Sequence, residues 1–387
     1  MKHNPEKSTR HRIILLTGEL SGELHSVNLI RGIKKYNFSL SGMGSDRLKE
    51  EGMEIVFDYR AISLMGISEL LTRSHHILSA LKTIKRHIRE TKPILIILVD
   101  FPGFNLRIAE YAKRYDIPVI YFIPPQVWAW HKGRVYKIKK YVDLVLSILP
   151  FEKKFYEGYG VDVRYVGHPF AKTIKPTMTR DEFLAKTNID KKTKVITIMP
   201  GSREDEISKH MPVLMRITHI LKKNIEGLMV ILPIAENIPD ALIERFTNAD
   251  HLPITLVRDC NHDALYHCDA AILASGSATL EAAILGAPTV VIYRVSTLSY
   301  MLAKMLVHVK YISLPNLIAG KEVFPEFIQH LDPEKIAEKV LYMLNIGRDG
   351  IKKDLDYIRE EIGDYDSYGM AGDEIIRFLG HRYGAIS

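Results

Sequence analysis

Cysteine is scarce in this chain: Cys260 and Cys268 are the only two thiols among 387 residues. Two thiols cannot build a disulfide framework, which argues against a small stapled secreted scaffold. Long hydrophobic runs are missing too. Apolar stretches such as Ile94 to Val99 are strand-length, far short of the roughly 20 residues that a membrane-spanning helix needs. The leading segment MKHNPEKSTRHR is polar and runs into a strand without the apolar centre of a signal sequence, so the chain is expected in the cytoplasm, with any membrane contact peripheral. Charge imbalance is small: 53 Lys and Arg against 46 Asp and Glu leave a net +7, which suits phosphorylated substrates, anionic lipid or nucleic acid without choosing among them. The basic residues are scattered, and beyond Trp128 to Arg134 no aromatic and basic platform stands out, so no nucleic-acid partner is expected.

Metal spacing is lacking as well. Cys260, His262, His267 and Cys268 crowd together, but their spacing matches no finger, ribbon or HExxH pattern, so no metal and no cofactor is expected. The GxGxxG spacing of a dinucleotide turn is also absent, and no short repeat appears.

What is present has the pattern of α/β folding. The chain is 47% hydrophobic and 26% charged, ordinary for a globular protein, and its length suits two domains. The central stretch is AAILASGSATLEAAILGAPTVVIYR, Ala270 to Arg294. Ala271 to Ala274 reads as a buried strand, Ser275-Gly276-Ser277 as a break, Ala278 to Leu285 as a helix stopped by Gly286 and Pro288, and Thr289 to Tyr293 as a second strand. A small-residue loop at a strand's carboxyl end and a helix N-terminus attracts phosphate, and Glu281, a turn into the helix, can accept from a ribose diol. The bland reading of the same residues is an N-cap, a solvated Glu and a C-cap.

Similar corners recur along the chain. Ile13 to Leu16 leads into Thr17-Gly18-Glu19-Leu20-Ser21-Gly22-Glu23, and Val195 to Met199 into Pro200-Gly201-Ser202-Arg203, where Arg203 and the neighbouring amides form a pyrophosphate clamp or merely a cap. Ile94 to Val99 ends at Asp100, a general base or a helix cap. Val119 to Ile123 precedes PPQVWAWH, whose indoles can stack on a sugar or an acyl chain, or plug a domain interface. Apolar residues at Ile67, Leu70, Leu71, Ile77, Leu78, Leu81, Ile84 and Ile88, interleaved with Arg and Lys, predict an amphipathic basic helix pair over Leu64 to Ile88 that faces either a core or a bilayer. Asn316, in a proline-bearing loop, hydrogen-bonds a sugar or forms a turn. Periodicity lapses at Val163 to Pro169, and Lys172 to Thr179 reads as the linker, giving domains 1–171 and 172–387. Pro333 to Leu379 reads as amphipathic helix interrupted around Gly363 to Gly372, with room to pack back on the first domain.

Taken in order, GELSGE at Gly18, LMGISELL at Leu64, DFPGFN at Asp100, PQVWAWHKGRV at Pro125, LPFE at Leu149, VGHP at Val166, PGSRE at Pro200, ASGSATLE at Ala274 and SLPNLIAG at Ser313 resemble the lipid-A-disaccharide synthase family. The resemblance covers about Ile13 to Glu326 and implies an inverting, metal-independent glycosyltransferase with two Rossmann-like domains whose parallel sheets face across a cleft, the GT-B architecture. It implies UDP-diacylglucosamine and diacylglucosamine 1-phosphate as substrates. UDP would be held by Gly201, Ser202, Arg203, Ser275, Gly276, Ser277, Ala278, Thr279 and Glu281, and Asp100 would be the base. Sugar or acceptor contacts would come from Gly18, Glu19, Ser21, Gly22, Gln126, Trp128 and Asn316. Because diacylated substrates live in a bilayer, Ile67, Leu70, Leu71, Ile77 and Leu78 would meet an anionic inner-membrane surface on its cytoplasmic face, and a homodimer is compatible. Two departures stand out. The family's SGD becomes SGE at Glu23, one methylene longer, and Gly103 stands where members often carry a second Asp, leaving Asp100 the only carboxylate of its motif. Rival readings are an epimerase or an undecaprenyl-linked sugar transferase using the same UDP loops, or a non-catalytic membrane-associated nucleotide-binding protein.

Overall fold

The strand-forming runs are short and dominated by Ile, Val and Leu, the composition of parallel strands covered on both faces. The computed structural model describes residues 11–63, 70–129, 133–235, 238–247, 252–296, 300–301 and 309–384, with backbone alone at 63 and 70–74. It divides into two units, residues 1–169 with 365–387, and residues 170–364.

The first unit holds β1 (His11–Leu16), β2 (Phe38–Gly44), β3 (Glu54–Asp58), β4 (Leu95–Val99), β5 (Val119–Phe122), β6 (Leu144–Ser147) and β7 (Val163–Tyr165). They form one parallel sheet in the order β3-β2-β1-β4-β5-β6-β7, with β1 and β4 paired from Ile13↔Leu95 to Leu16↔Leu98. Side chains alternate between two cores: Ile14, Leu16, Ile96 and Leu98 enter one, and Ile13, Leu15, Leu95, Ile97 and Val99 the other. The second core is completed by the last helix, Ser367–Tyr383, whose Ala371, Ile375 and Leu379 stand on one face at four-residue spacing. The chain's end therefore groups with the first unit, the domain on which the sequence reading left the terminal helices room to pack back. Of the predicted helix pair, the described residues hold the long helix Leu70–Thr91, with a short helical turn at Arg60–Ser63 before it, and residues 64–69 lie outside the described residues. Its Ala80, Leu81, Ile84 and Ile88 are buried in the first core.

The second unit holds β8 (Lys194–Met199), β9 (Leu228–Pro233), β10 (Ile254–Val257), β11 (Ala270–Ala274), β12 (Thr289–Tyr293) and β13 (Glu326–Ile328), again parallel, in the order β10-β9-β8-β11-β12-β13. The expected linker is not a free tether: Phe170–Thr173 is helical, and Asp263 accepts from Thr177 N–H (2.8 Å), Thr177 Oγ1 (2.7 Å) and Met178 N–H (2.8 Å). The sequence reading misses β7, β13 and the Leu314–Ala319 helix. These elements are too short to display a period.

Candidate active site

In an open parallel sheet, the point where strand order reverses leaves a crevice at the strands' carboxyl ends. In the second unit that point lies between β8 and β11, paired from Ala270↔Ile196 to Leu273↔Met199. β8 runs through Pro200-Gly201-Ser202-Arg203 into the helix Glu204–Asn224, and β11 through Ser275-Gly276 into the helix Ser277–Leu285. Between them is a cavity of about 370 Å³ lined by Gly201, Ser202, Arg203, Glu206, Ser275, Gly276, Ser277, Ala278, Glu281 and Tyr293. Two helix N-termini direct N–H groups toward this space, which favours an anion.

Gly201 sits at φ +126°, where a Cβ would lie 2.6 Å from Glu206 Oε2. That Glu206 oxygen accepts from Ser202 N–H at 3.2 Å, and Glu206 Oε1 lies 3.4 Å from the Arg203 guanidinium. A carboxylate thus stands among donors that an incoming phosphate would use. Arg203 itself is 80% exposed. Beneath the turn, buried His210 donates from Nδ1 to Pro200 O at 2.7 Å and accepts at Nε2 from Arg294 N–H at 2.9 Å. Burial lowers its pKa, so a neutral ring ties the turn to the segment after β12. Glu281 lies 3.3 Å from Ser277 Oγ and 3.5 Å from His262 Nε2. Sequence reasoning misses Glu206, His210 and Tyr293, because only the fold brings them to the turn. Thr279, an expected UDP contact, has both of its donors engaged within the loop. It is fully buried, and both its N–H and its hydroxyl donate to Gly276 O, at 3.2 and 2.8 Å.

The first unit reverses between β1 and β4. Asp100 follows β4 with φ +48° and Phe101 with φ +45°, consecutive left-handed residues that cost about 1–3 kcal/mol each unless the surroundings hold them. Here Asn105 Nδ2 donates to Asp100 O (2.7 Å) and Val99 O (3.2 Å), and Tyr121 OH donates to Asp100 O (2.6 Å). The next helix is capped by Phe101, so the alternative of Asp100 as its cap does not hold. Burial raises the carboxyl's pKa, opposed by a bond from Phe101 N–H. The β1 loop closes against it. A Cβ on Gly22 would lie 3.6 Å from Asp100 Cβ, and one on Gly18 only 2.2 Å from the Phe101 ring. Glu19, Ser21, Leu20 and Leu24 are exposed at this corner, as is Gln126 after β5.

The remaining expected site residues are placed as follows. Trp128 is 9% exposed and donates from Nε1 to buried Glu152 at 3.0 Å, edge-on to Phe151, so it is a packing residue rather than an open stacking platform. Asn316 is fully buried; Nδ2 donates to Phe324 O and Glu326 Oε1, and Oδ1 accepts from Val323 and Phe324 N–H, so no polar atom is left for a sugar. Glu23, the long form of the motif's acid, is 1% exposed and accepts from Ser45 N–H, Ser45 Oγ and Tyr59 OH, tying loops together. Ile77 packs against the core, whereas Leu78 is exposed. Ile67, Trp130, His131 and Lys132 lie outside the described residues, as do the side chains of Leu70 and Leu71. In the cysteine and histidine cluster, His267 donates to Met178 O, Cys268 to Leu265 O, and His262 turns to Glu281; among the described residues no group of three metal-ligating side chains forms.

The family model of lipid-A-disaccharide synthetase matches residues 13–367. The chain belongs to the lipid-A-disaccharide synthase family. It is 38% identical over 357 residues to the lipid-A-disaccharide synthase of Trichlorobacter lovleyi, covering 91% of this chain and 93% of that one. It is 40% identical over 325 residues to that of Geobacter sulfurreducens, covering 84% and 85%. Among solved structures it resembles the calicheamicin glycosyltransferase, with a TM-score of 0.63 at 15% identity, covering 97% of this chain and 100% of that one. It also resembles the UDP-GlcNAc 2-epimerase of Neisseria meningitidis, with a TM-score of 0.58 at 13% identity, covering 95% and 99%. At such identity these structures share the fold. As a member of this family, the chain is a glycosyltransferase of lipid A synthesis with a UDP-sugar donor and an acceptor.

Proposed function

We propose that this synthase joins UDP-2,3-diacylglucosamine to 2,3-diacylglucosamine 1-phosphate in one inverting displacement, giving a β-1,6-linked disaccharide 1-phosphate and UDP. The second unit takes the donor, its diphosphate on the Gly201 and Ser202 amides and Arg203, and its ribose diol donating to Glu281. Glu206 must then yield Ser202 N–H to phosphate. The first unit takes the acceptor. Asp100 removes the proton of the attacking hydroxyl, that oxygen bonds to the donor's anomeric carbon, and UDP departs from the opposite face with the electron pair of the broken bond. The observation that carries this reading is Asp100 itself: it stands at the end of β4, its carbonyl held by two hydrogen bonds, from Asn105 and Tyr121, with the next helix capped by Phe101 and the carboxyl's proton affinity raised.

A peripheral position on the cytoplasmic face of an anionic inner membrane is supported by the groove beside the Leu70–Thr91 helix. There Leu78, 60% exposed, and Leu81 lie with Lys82, Lys85, Arg86, Arg89 and Tyr111. Apolar side chains flanked by cations suit an interface with acidic headgroups. Among the described residues no helix is long and apolar enough to cross a membrane.

The test is to incubate purified protein with the two diacylated substrates, without added metal, and follow UDP. Release is expected only with acceptor present, and Asp100→Ala is expected to lose at least ~100-fold of the turnover, the scale of a missing general base. Donor conversion without acceptor would replace the transferase with an epimerase, and near-full turnover in the variant would remove Asp100 as the base.

A further inference from the structure

The histidine left over from the cysteine and histidine cluster lies beside the ribose carboxylate rather than a metal. The helix Asn261–His267 packs on the helix Ser277–Leu285, and its rotation is fixed at two points: Asp263 accepts from Thr177 and Met178, and His267 Nε2 donates to Met178 O at 2.9 Å. So pinned, it presents His262 to Glu281, Nε2 3.5 Å from Oε2, while Ser277 Oγ lies 3.3 Å from Oε1.

We propose that His262 is a positioning residue for donor binding, holding the Glu281 carboxylate in the orientation that accepts the ribose 2′- and 3′-hydroxyls. This rests on UDP occupying the crevice between β8 and β11. A free glutamate side chain is among the more mobile, and fixing it costs rotamer entropy. A carboxylate has about four lone-pair sites on two oxygens, so one flanking donor on each oxygen locks the plane and leaves each a site for the diol. With Ser277 alone the group can pivot about its bonded oxygen; a second donor from another helix removes that freedom before ligand arrives. Hydrogen bonding to Glu281 raises the pKa of His262. A protonated ring also offsets part of the glutamate's charge where a diphosphate must approach.

The experiment compares the affinity of UDP and of 2′-deoxy-UDP, by titration calorimetry, for the full chain and for His262→Ala, His262→Gln and Glu281→Gln. The parent is expected to prefer UDP, and His262→Ala to lower that preference by about 3- to 10-fold, because the hydroxyl meets an unfixed carboxylate. His262→Gln, whose amide can donate from a similar place, is expected to restore most of it. A merely structural histidine would weaken both nucleotides alike and leave the ratio unmoved. The proposal is overturned if Glu281→Gln abolishes the preference while His262→Ala keeps it, or if Gln rescues nothing. Should the parent bind neither nucleotide, or both equally, the ribose assignment fails and this inference with it.

Discussion

The two crevices share a topology and little else. Each lies where a parallel sheet reverses its strand order, between β1 and β4 in one unit and between β8 and β11 in the other. The second is a ring of donors, with two helix N-termini, Gly201 at positive φ and exposed Arg203 around an open cavity. The first is close-packed around one acid: Gly18 abuts Phe101, Gly22 abuts Asp100, and burial raises that acid's proton affinity. The architecture therefore sets where chemistry can occur, and the loop residues set which chemistry: in the reading proposed above, anion capture in one unit and proton removal in the other.

The largest effect should separate these roles. Asp100→Asn is expected to cost at least ~100-fold in kcat at unchanged UDP affinity. In the parent, a base with a raised pKa must be deprotonated to work, so kcat/KM should fall as pH drops through a value above the ordinary aspartate range. An acid limb at the ordinary aspartate value would break the contrast between a desolvated and an open site. Next, glycines at equivalent corners should differ. Gly18→Ala pushes a methyl into the Phe101 ring and should lower turnover by about 10- to 100-fold through displacement of Asp100. Gly276→Ala meets no protein atom within 4 Å but adds a methyl to the lining of the donor crevice, so it should act on UDP affinity and spare kcat. Equal losses in steady-state assays would erase the distinction.

Arg203→Ala should weaken UDP about 10-fold, the low end for a charge-assisted bond, with thermal stability unmoved because the side chain is solvent-exposed. A loss confined to kcat would move Arg203 out of the donor site. The smallest effect concerns Glu152, fully buried beside Trp128, with its pKa raised by desolvation to about 8. The folded chain keeps a proton that the unfolded chain releases above the ordinary glutamate range. Stability from this group is therefore full below that range and falls as pH rises toward 8. Glu152→Gln should flatten that part of the Tm-against-pH curve, and an unchanged slope would show the acid to be ionised in the fold.

Much of the framework was legible because buried parallel strands must be continuous apolar runs: Ile94 to Val99, Val195 to Met199 and Ala271 to Ala274 each lie within a residue of the observed bounds. The loops after them were legible for the same reason, since glycine and small polar residues cluster where the backbone must turn. Side-chain direction was not. Asn316, Trp128 and Thr279 carry the polar or aromatic groups that recognition uses, and packing turns each inward onto a neighbouring carbonyl or carboxylate. Ile77 and Leu78 are adjacent in sequence, yet one packs on the core and the other meets solvent.

By itself the sequence determined the α/β class, the loops at the strands' carboxyl ends, the acid at the end of β4 and the family. Only the tertiary structure decided that Ala371, Ile375 and Leu379 are the residues that close the first unit's core, that His210 stands behind the turn after β8 and His262 beside Glu281, and that Glu206 accepts from Ser202 N–H. The physical reason is range. Strand and turn chemistry is written in neighbouring residues, whereas a side chain's partners are fixed by whichever distant elements the sheet order brings against it.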